Sequence, residues 1–282
     1  MGEIVLTLGV PHTPLLWNLT KPPVPEDVAR VVAEYAHFRS LLADANPDTI
    51  VLVASDHFRQ LMTINMPAFL IGKAPLMRGT HPNEEREFGI PQVNIPGDPE
   101  LARVLLGHHE LPAEFDFSFS DEPWLDHSFV VPLLYLTPDL EVPVVPVYTN
   151  CNAPPLPSAA RFAALGDYLR NTINGSALER RVAVVASGHL AFELGGPRQF
   201  LGESPDGEFD EKAVSWMERG DLDGAVTGCG FDRLNDAGNL TFQFLNFVTA
   251  LSAAGGFPAT RAAGIACRFG NEPFFAWAEG HR

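Results

Sequence analysis

Short apolar runs alternate with longer amphipathic segments along the chain. Four runs are aliphatic or β-branched at nearly every position, as expected of parallel strands covered on both faces; they span residues 4–8, 49–54, 142–148 and 181–186. Apolar residues at helical spacing predict helices at 25–43, 99–107, 158–173 and 240–254. This alternation predicts an α/β fold, with a mostly parallel central sheet and helices on both of its faces.

Two stretches depart from the alternation. Residues 73–96 are rich in proline, glycine and charge, which predicts a long surface excursion, and residues 203–207 predict a second polar loop. Loops of this length often form lids or partner surfaces. Because neither a repeat nor a long linker divides the chain, we expect a single domain over residues 1–282.

Composition and charge narrow the classes of function. The chain has 282 residues, 46% of them hydrophobic, and a net charge of −16, which disfavours nucleic acid and anionic membranes as partners. The three cysteines, Cys151, Cys229 and Cys267, form no CxxC pair, so we expect a reduced, cytoplasmic setting rather than a disulfide framework. No apolar stretch approaches the roughly 20 residues of a membrane span.

Three histidines occupy equivalent places after predicted strands. His12 follows the first strand, His57 follows the second, and His189 follows the run at 181–186. Ligands bind beyond the carboxyl ends of the strands in open parallel sheets. One such histidine alone is most often an ordinary loop or capping residue. Three at equivalent places favour a shared site at this edge.

His127 is a fourth candidate, because Asp126 precedes it directly. A neighbouring carboxylate suits an imidazole that is oriented for acid/base chemistry. The alternative is that Asp126 only caps a helix and His127 has no role. The remaining histidines are assigned no function; they are His37, on the polar side of the first helix, His81, in the surface excursion, His108 and His109, in an exposed turn, and His281, at the end of the chain.

Two neutral imidazoles and an oxygen ligand, with coordination positions left open, are typical of mononuclear Fe(II) oxygenases. The same ligands can hold Zn²⁺ for hydrolysis. Within the sequence, a serine nucleophile elbow, a phosphate loop and a dinucleotide fingerprint are all missing. The residues therefore favour a metal site, and they do not distinguish Fe(II) from Zn²⁺.

Several motifs, taken together, resemble one family over nearly the whole chain. They are the His12 segment, Ser55-Asp-His57, Asp126-His127 with Val-Val-Pro-Leu after it, Val144-Val-Pro-Val-Tyr-Thr-Asn150 through Pro155, Ala164-Leu-Gly-Asp167, Ser187-Gly188 and Gly196-Pro-Arg198. The chain resembles the catalytic β subunit of class III, LigB-type extradiol ring-cleavage dioxygenases, of which protocatechuate 4,5-dioxygenase is the familiar member.

The resemblance implies an Fe(II) cofactor held by His12, His57 and a glutamate. It implies a hydroxylated, catechol-like aromatic substrate whose ring is opened with O₂. By the same resemblance His127 is an acid/base residue with Asp126 beside it. Some relatives bring in a small separate α subunit, so either such a subunit or a homo-oligomer is a possible partner.

The sequence departs from the family in two places. The late helix contains no glutamate; the best match puts Gln243 at the ligand position and Phe247 at a tryptophan, while a shifted register puts Leu240 at the ligand position. A neutral glutamine leaves the site one negative charge short. His189 is the second candidate catalytic residue, but it comes three residues before the family's acid/base histidine, where Phe192 stands, so it would act from the strand end with altered geometry. A non-catalytic subunit or binding protein with a decayed site, and a zinc hydrolase, therefore remain alternatives.

Overall fold

The structure, a computed structural model, describes residues 1–107, 115–199 and 201–278, so His108, His109 and His281 lie outside the described residues. The strands are β1 (Glu3–Val10), β2 (Thr49–Ala54), β3 (Phe69–Gly72), β4 (Leu76–Gly79), β5 (Val93–Pro96), β6 (Ser118–Ser120), β7 (Trp124–Leu125), β8 (Val144–Thr149), β9 (Arg181–Ser187), β10 (Arg261–Cys267) and β11 (Gly270–Ala278). The helices are α1 (Pro14–Leu19), α2 (Glu26–Ala45), α3 (Pro82–Phe88), α4 (Pro99–Leu106), α5 (His127–Leu136), α6 (Ala159–Gly175), α7 (Gly207–Arg219), α8 (Leu222–Gly228), α9 (Phe231–Ala237) and α10 (Leu245–Ala253).

The four predicted strands form the centre of an eight-stranded sheet in the order β10-β11-β1-β9-β2-β8-β3-β6. Neighbours β1, β9, β2 and β8 are parallel, whereas β11 joins β1 and β3 joins β8 in antiparallel fashion. The prediction of a mostly parallel sheet is confirmed. The antiparallel β10–β11 hairpin at one edge was not predicted.

Side chains of the central strands point alternately into two hydrophobic cores. In β2, Val51 and Val53 face a core shared with α4, α6 and α10, while Ile50 and Leu52 face a core shared with α2 and α5. All four side chains are fully buried. The prediction of helices on both faces is confirmed, and it explains why these strands read as continuous apolar runs.

The predicted surface excursion at 73–96 does lie largely at the surface, but it is not a loop. The segment contains β4, α3 and β5, and its two strands form a small second sheet in the order β5-β4-β7. Glu84, Ile90 and Ile95 in this segment are fully buried. Elements of four to seven residues are too short to show a hydrophobic period, and Glu84 is buried because its partners come from distant parts of the chain.

The late apolar segment begins differently from the predicted helix. Residues Thr241–Phe244 form a 3₁₀ helix, and only then does α10 begin. Gly188, just beyond β9, lies against the backbone of Gln243, so this first turn is pressed onto the end of the strand. Within the described ranges, no helix is both long enough and apolar enough to cross a membrane.

We expect Gly188→Ala to destabilise the junction of β9 and the 3₁₀ helix. A Cβ at Gly188 would lie 2.4 Å from the carbonyl oxygen of Gln243 and 3.2 Å from the Phe247 ring, so the backbone must shift. Overpacking of this kind lowers the free energy of unfolding by about 1–3 kcal/mol, which chemical denaturation measures.

Gly207→Ala is the matched control, because no heavy atom lies within 4 Å of a Cβ built at Gly207, the first residue of α7. It should leave the free energy of unfolding unchanged or raise it by about 0.4–1 kcal/mol. Equal denaturation midpoints for the two variants would contradict the predicted clash.

Candidate active site

Four histidines lie together at the carboxyl edge of the central sheet. His12 follows β1, His57 follows β2, His189 follows β9, and His127 is the first residue of α5. Ring centroids are 4.2 Å apart for His12 and His189, 5.3 Å for His12 and His57, and 4.2 Å for His57 and His127. The parallel strands thus bring the three predicted strand-end histidines to one place, and α5 adds the fourth.

His12 is fully buried and held through Nδ1. This atom lies 2.8 Å from Oγ of Ser187, whose hydroxyl donates to the carbonyl oxygen of Ser128 at 2.7 Å. Since the hydroxyl proton is already used, Ser187 accepts from Nδ1–H of His12. The lone pair is therefore on Nε2, which is buried without a hydrogen-bond partner. Burial, and then the neighbouring histidines, lower the pKa of His12 well below its usual value.

His57 is held in the same way by Asp126. Its Nδ1 donates to Oδ2 of Asp126 at 3.0 Å, and its backbone N–H donates to the same oxygen at 2.7 Å. Burial alone would raise the pKa of Asp126, but the facing His57 and His127 outweigh it and hold that pKa below its usual range. The lone pair on His57 therefore lies on Nε2.

The carboxylate of Asp126 hydrogen-bonds to His57 and Ser128 rather than to His127, the residue beside which it was expected to act. Asp126 is the N-cap of α5, and its Oδ1 accepts from the backbone N–H of Ser128 at 2.9 Å. An N-cap carboxylate accepts from the backbone N–H groups of the first turn, which fixes its direction. The other oxygen then reaches His57.

Glu84, from α3, is the carboxylate that pairs with His127. Its Oε1 lies 2.6 Å from Nδ1 of His127, although 43 residues separate the two in sequence. Glu84 is fully buried, and Nε of Arg59 lies 3.6 Å from the same oxygen. A buried carboxylate accepts the ring N–H, which leaves Nε2 of His127 bare. Nothing in the sequence pattern indicated Glu84.

Three imidazoles thus share one tautomer, and each offers a ligand-type atom to the same space. Such atoms of His12, His57 and His127 all lie within 4.8 Å of one another. Metal-binding histidines almost always donate their other ring N–H to a carboxylate, a carbonyl or water, which fixes ring orientation. Two carboxylates, Asp126 and Glu84, are engaged in that way.

Gln243 closes one side of this space. Its side chain is fully buried, and Nε2 of the amide lies 3.0 Å from Nε2 of His57. The amide oxygen is buried with no hydrogen-bond partner, which costs about 1–3 kcal/mol. A half-turn of the amide exchanges nitrogen and oxygen, so the oxygen can face the lone pair of His57. A cation between them would satisfy both atoms.

His189 contacts the same cluster from the end of β9. Its ring stacks on Phe192 at 4.4 Å with an interplanar angle of 16°. Burial, and then the charges of nearby histidines, lower the pKa of His189 well below its usual value. His189 and Phe192, which stands where the family has its acid/base histidine, are therefore in direct contact. His189 also lies beside His12.

Glu272 is a buried carboxyl near the site that sequence reasoning missed. The antiparallel pairing of β11 with β1 brings it next to the loop after β1, where Oγ1 of Thr13 donates to Glu272 at 3.0 Å. Burial raises the pKa of Glu272 to about 7.

His81, to which no role was assigned, caps α3 and stacks on Trp124 at 4.5 Å.

Comparison with known proteins identifies the family. Residues 6–269 match the family described as the catalytic LigB subunit of aromatic ring-opening dioxygenase. The chain belongs to this family. The predicted class is therefore confirmed over nearly the whole chain, whereas a particular likeness to protocatechuate 4,5-dioxygenase stays a prediction.

Curated relatives are identical to the chain at about a third of the aligned positions. A 2,3-dihydroxyphenylpropionate/2,3-dihydroxicinnamic acid 1,2-dioxygenase from Paraburkholderia xenovorans is 34% identical over 67% of this chain and 56% of its own length. One from Xanthobacter autotrophicus is 31% identical over 68% and 59%, respectively. The chain thus spans less than two thirds of these relatives. The crystal structure of an uncharacterized Escherichia coli K12 protein has a TM-score of 0.59 at 17% identity, over 96% of this chain and 99% of that one, and shares the fold.

We expect Glu272→Gln to stabilise the chain in a pH-dependent way. The folded carboxyl stays neutral up to about pH 7, whereas the unfolded one ionises near pH 4.5, so stability is lost as pH rises through this window. Removing the ionisable group should leave the free energy of unfolding nearly unchanged at pH 4 and raise it by up to about 3 kcal/mol at pH 8, at about 1.4 kcal/mol per pKa unit.

Chemical denaturation of both proteins between pH 4 and pH 8 measures this difference. Glu211→Gln, an exposed position on α7, is the matched control for the substitution itself. A difference between Glu272→Gln and the native chain that does not grow with pH would refute a neutral Glu272.

Proposed function

We propose that the chain is an Fe(II)-dependent extradiol dioxygenase, which opens the ring of a catechol-like aromatic with both atoms of O₂. The observation that carries the proposal is the convergence of bare, Nδ1-anchored imidazoles beside an unpartnered buried amide oxygen. Family membership supports the reaction class. The relatives are named for dihydroxyphenylpropionate and dihydroxycinnamic acid, so vicinal diols of phenylalkanoic or phenylalkenoic acids are the first substrates to test.

The residues present fit a divalent metal ion. At this site Nε2 of His12 and Oε1 of Gln243 are buried without a hydrogen-bond partner, and Nε2 of His57 lies 3.0 Å from the amide of Gln243. We assign these three side chains as the metal ligands. Bound iron would supply the electron path that lets O₂ react with a closed-shell aromatic diol.

His127 is the base in this proposal. Its Nε2 carries a lone pair, and its ring lies 4.2 Å from that of His57, which places it beside the proposed metal ligands. It takes a proton from the diol, and the Glu84 carboxylate stabilises the resulting imidazolium. The imidazolium can then return the proton to the ring-opened product.

His189 has a supporting role. Its lowered pKa keeps it neutral, so it adds no positive charge beside the metal ligands. With Phe192 against it, the ring covers the His12 side of the site and helps to exclude water.

The decisive experiment follows O₂ uptake by anaerobically purified protein loaded with Fe(II). The panel holds 2,3-dihydroxyphenylpropionate, other catechols, gallate and 2-aminophenol, and the product is analysed by mass after reaction with ¹⁸O₂. We expect uptake with at least one diol and two labelled oxygen atoms in its ring-opened product. Iron binding without uptake across the panel would instead indicate a binding protein, and ester hydrolysis by the Zn²⁺ form would indicate a hydrolase.

We expect the iron content of alanine variants to distinguish the proposed metal ligands from the proposed base. His12→Ala and His57→Ala should each lose iron, because each removes a metal ligand. His127→Ala should keep iron and lose turnover by about 10²–10⁴-fold, the usual contribution of a general base. Elemental analysis and O₂ uptake are measured on the same samples. Iron loss in His127→Ala would make His127 a ligand, and full occupancy in His57→Ala would exclude His57.

We expect Gln243→Glu to tighten metal binding, because a carboxylate adds the negative charge that the neutral amide lacks. Competition with a metallochromic chelator measures the affinity of the metal-free protein for Fe(II) and Zn²⁺. Asn246→Asp is the control, because it adds a buried negative charge at a position that is not a proposed ligand. Asn246 is a buried amide three residues after Gln243, and its Nδ2 donates to the carbonyl oxygen of Ser187. Unchanged affinity in Gln243→Glu, or an equal gain in both variants, would contradict the assignment of Gln243.

A further inference from the structure

We propose that Glu84, at the start of α3, is a positioning residue that fixes the tautomer of His127. This role deepens the proposed function, and the part of its test that measures kcat rests on that function. It concerns a buried carboxylate from the segment that the sequence pattern placed on the surface.

Both oxygens of Glu84 are engaged by donors. Oε1 accepts from Nδ1 of His127 at 2.6 Å and lies 3.3 Å from its backbone nitrogen, while Oε2 accepts from the backbone N–H of His81 at 3.2 Å. Glu84 and His81 form a capping box, so the start of α3 holds the carboxylate in place. The side chain cannot turn away from His127 without breaking several hydrogen bonds at once.

Arg59 supplies the counter-charge for this buried carboxylate. Its Nε lies 3.6 Å from Oε1 of Glu84, and its two terminal nitrogens lie 2.8 Å from the amide oxygen of Asn83 when that amide is turned to accept from them. A buried carboxylate is costly unless it is paired and hydrogen-bonded. The guanidinium and the imidazole together satisfy it from two sides.

Two different carboxylates therefore anchor two of the histidine rings. Asp126 holds the His57 ring, and Glu84 holds the His127 ring, each through Nδ1. A carboxylate at Nδ1 makes Nε2 the only atom of His127 that can accept a substrate proton. It also stabilises the positive charge that the ring acquires, which a neutral partner cannot do.

The first test measures the tautomer directly, without metal or substrate. Ring ¹⁵N chemical shifts of the metal-free protein, recorded at a pH at which His127 is neutral and assigned with His127→Gln, should show Nδ1 protonated and Nε2 bare. Protonation at Nε2 in the native protein would overturn the proposal, whether or not any Glu84 variant folds.

The second test compares Glu84→Gln with Glu85→Gln, its exposed neighbour on α3. The amide at position 84 keeps the volume but lacks the charge and brings an NH₂ group that competes for the ring. We expect a mixture of His127 tautomers in Glu84→Gln and, in the iron-loaded enzyme, a kcat lowered by about 10²–10⁴-fold with little change in KM. Glu85→Gln should match the native protein in both readouts.

The two arms separate this inference from the proposed function. Loss of the Nδ1–H tautomer in Glu84→Gln supports the positioning role even when the native protein shows no oxygenase activity, which would refute only the proposed function. An active enzyme in which Glu84→Gln changes neither the tautomer nor kcat would overturn the positioning role and leave the proposed function standing.

Discussion

The arrangement of the site depends on the hydrogen bonds at Nδ1 of three histidines. A neutral imidazole has one N–H and one lone pair, so an acceptor at Nδ1 decides that the lone pair lies on Nε2. Ser187, Asp126 and Glu84 provide these acceptors. Without them each ring could turn or change tautomer, and the three lone pairs would not face the same space.

These acceptors are themselves joined. The carbonyl oxygen of Ser128 receives the hydroxyl of Ser187, while the N–H of Ser128 holds Asp126, so one residue of α5 supports the anchors of both His12 and His57. The first turn of α5 is bonded to the ends of β2 and β9, because Ser128 Oγ donates to the carbonyl oxygen of Ser55 at 2.8 Å and Ser187 donates to that of Ser128. A displacement of this turn would therefore disturb two rings together.

Charge sets a second constraint. The ligands proposed here, two neutral imidazoles and the amide of Gln243, bring no negative charge to the metal, and the nearest carboxylates act through the rings rather than directly. Such a site holds a divalent ion less tightly than one with a carboxylate ligand. It also leaves the charge of a bound diol to be balanced largely by the metal itself. Burial of His12 and His189 keeps both rings uncharged, which avoids adding repulsion to this weak site.

The four central strands, four of the helices, the edge of the sheet where the site lies and the histidines there could be predicted from the sequence, because apolar runs, helical spacing and the residues that follow a strand are local features. The sequence also determined the family, through motifs spread over the chain. Only the tertiary structure decided the pairing of carboxylates with rings. Asp126 stands next to His127 but caps α5 and bonds to His57, while Glu84 bonds to His127 from 43 residues away. Hydrogen-bond partners are chosen by distance and direction in space, and the sequence does not carry that information for short elements such as α3.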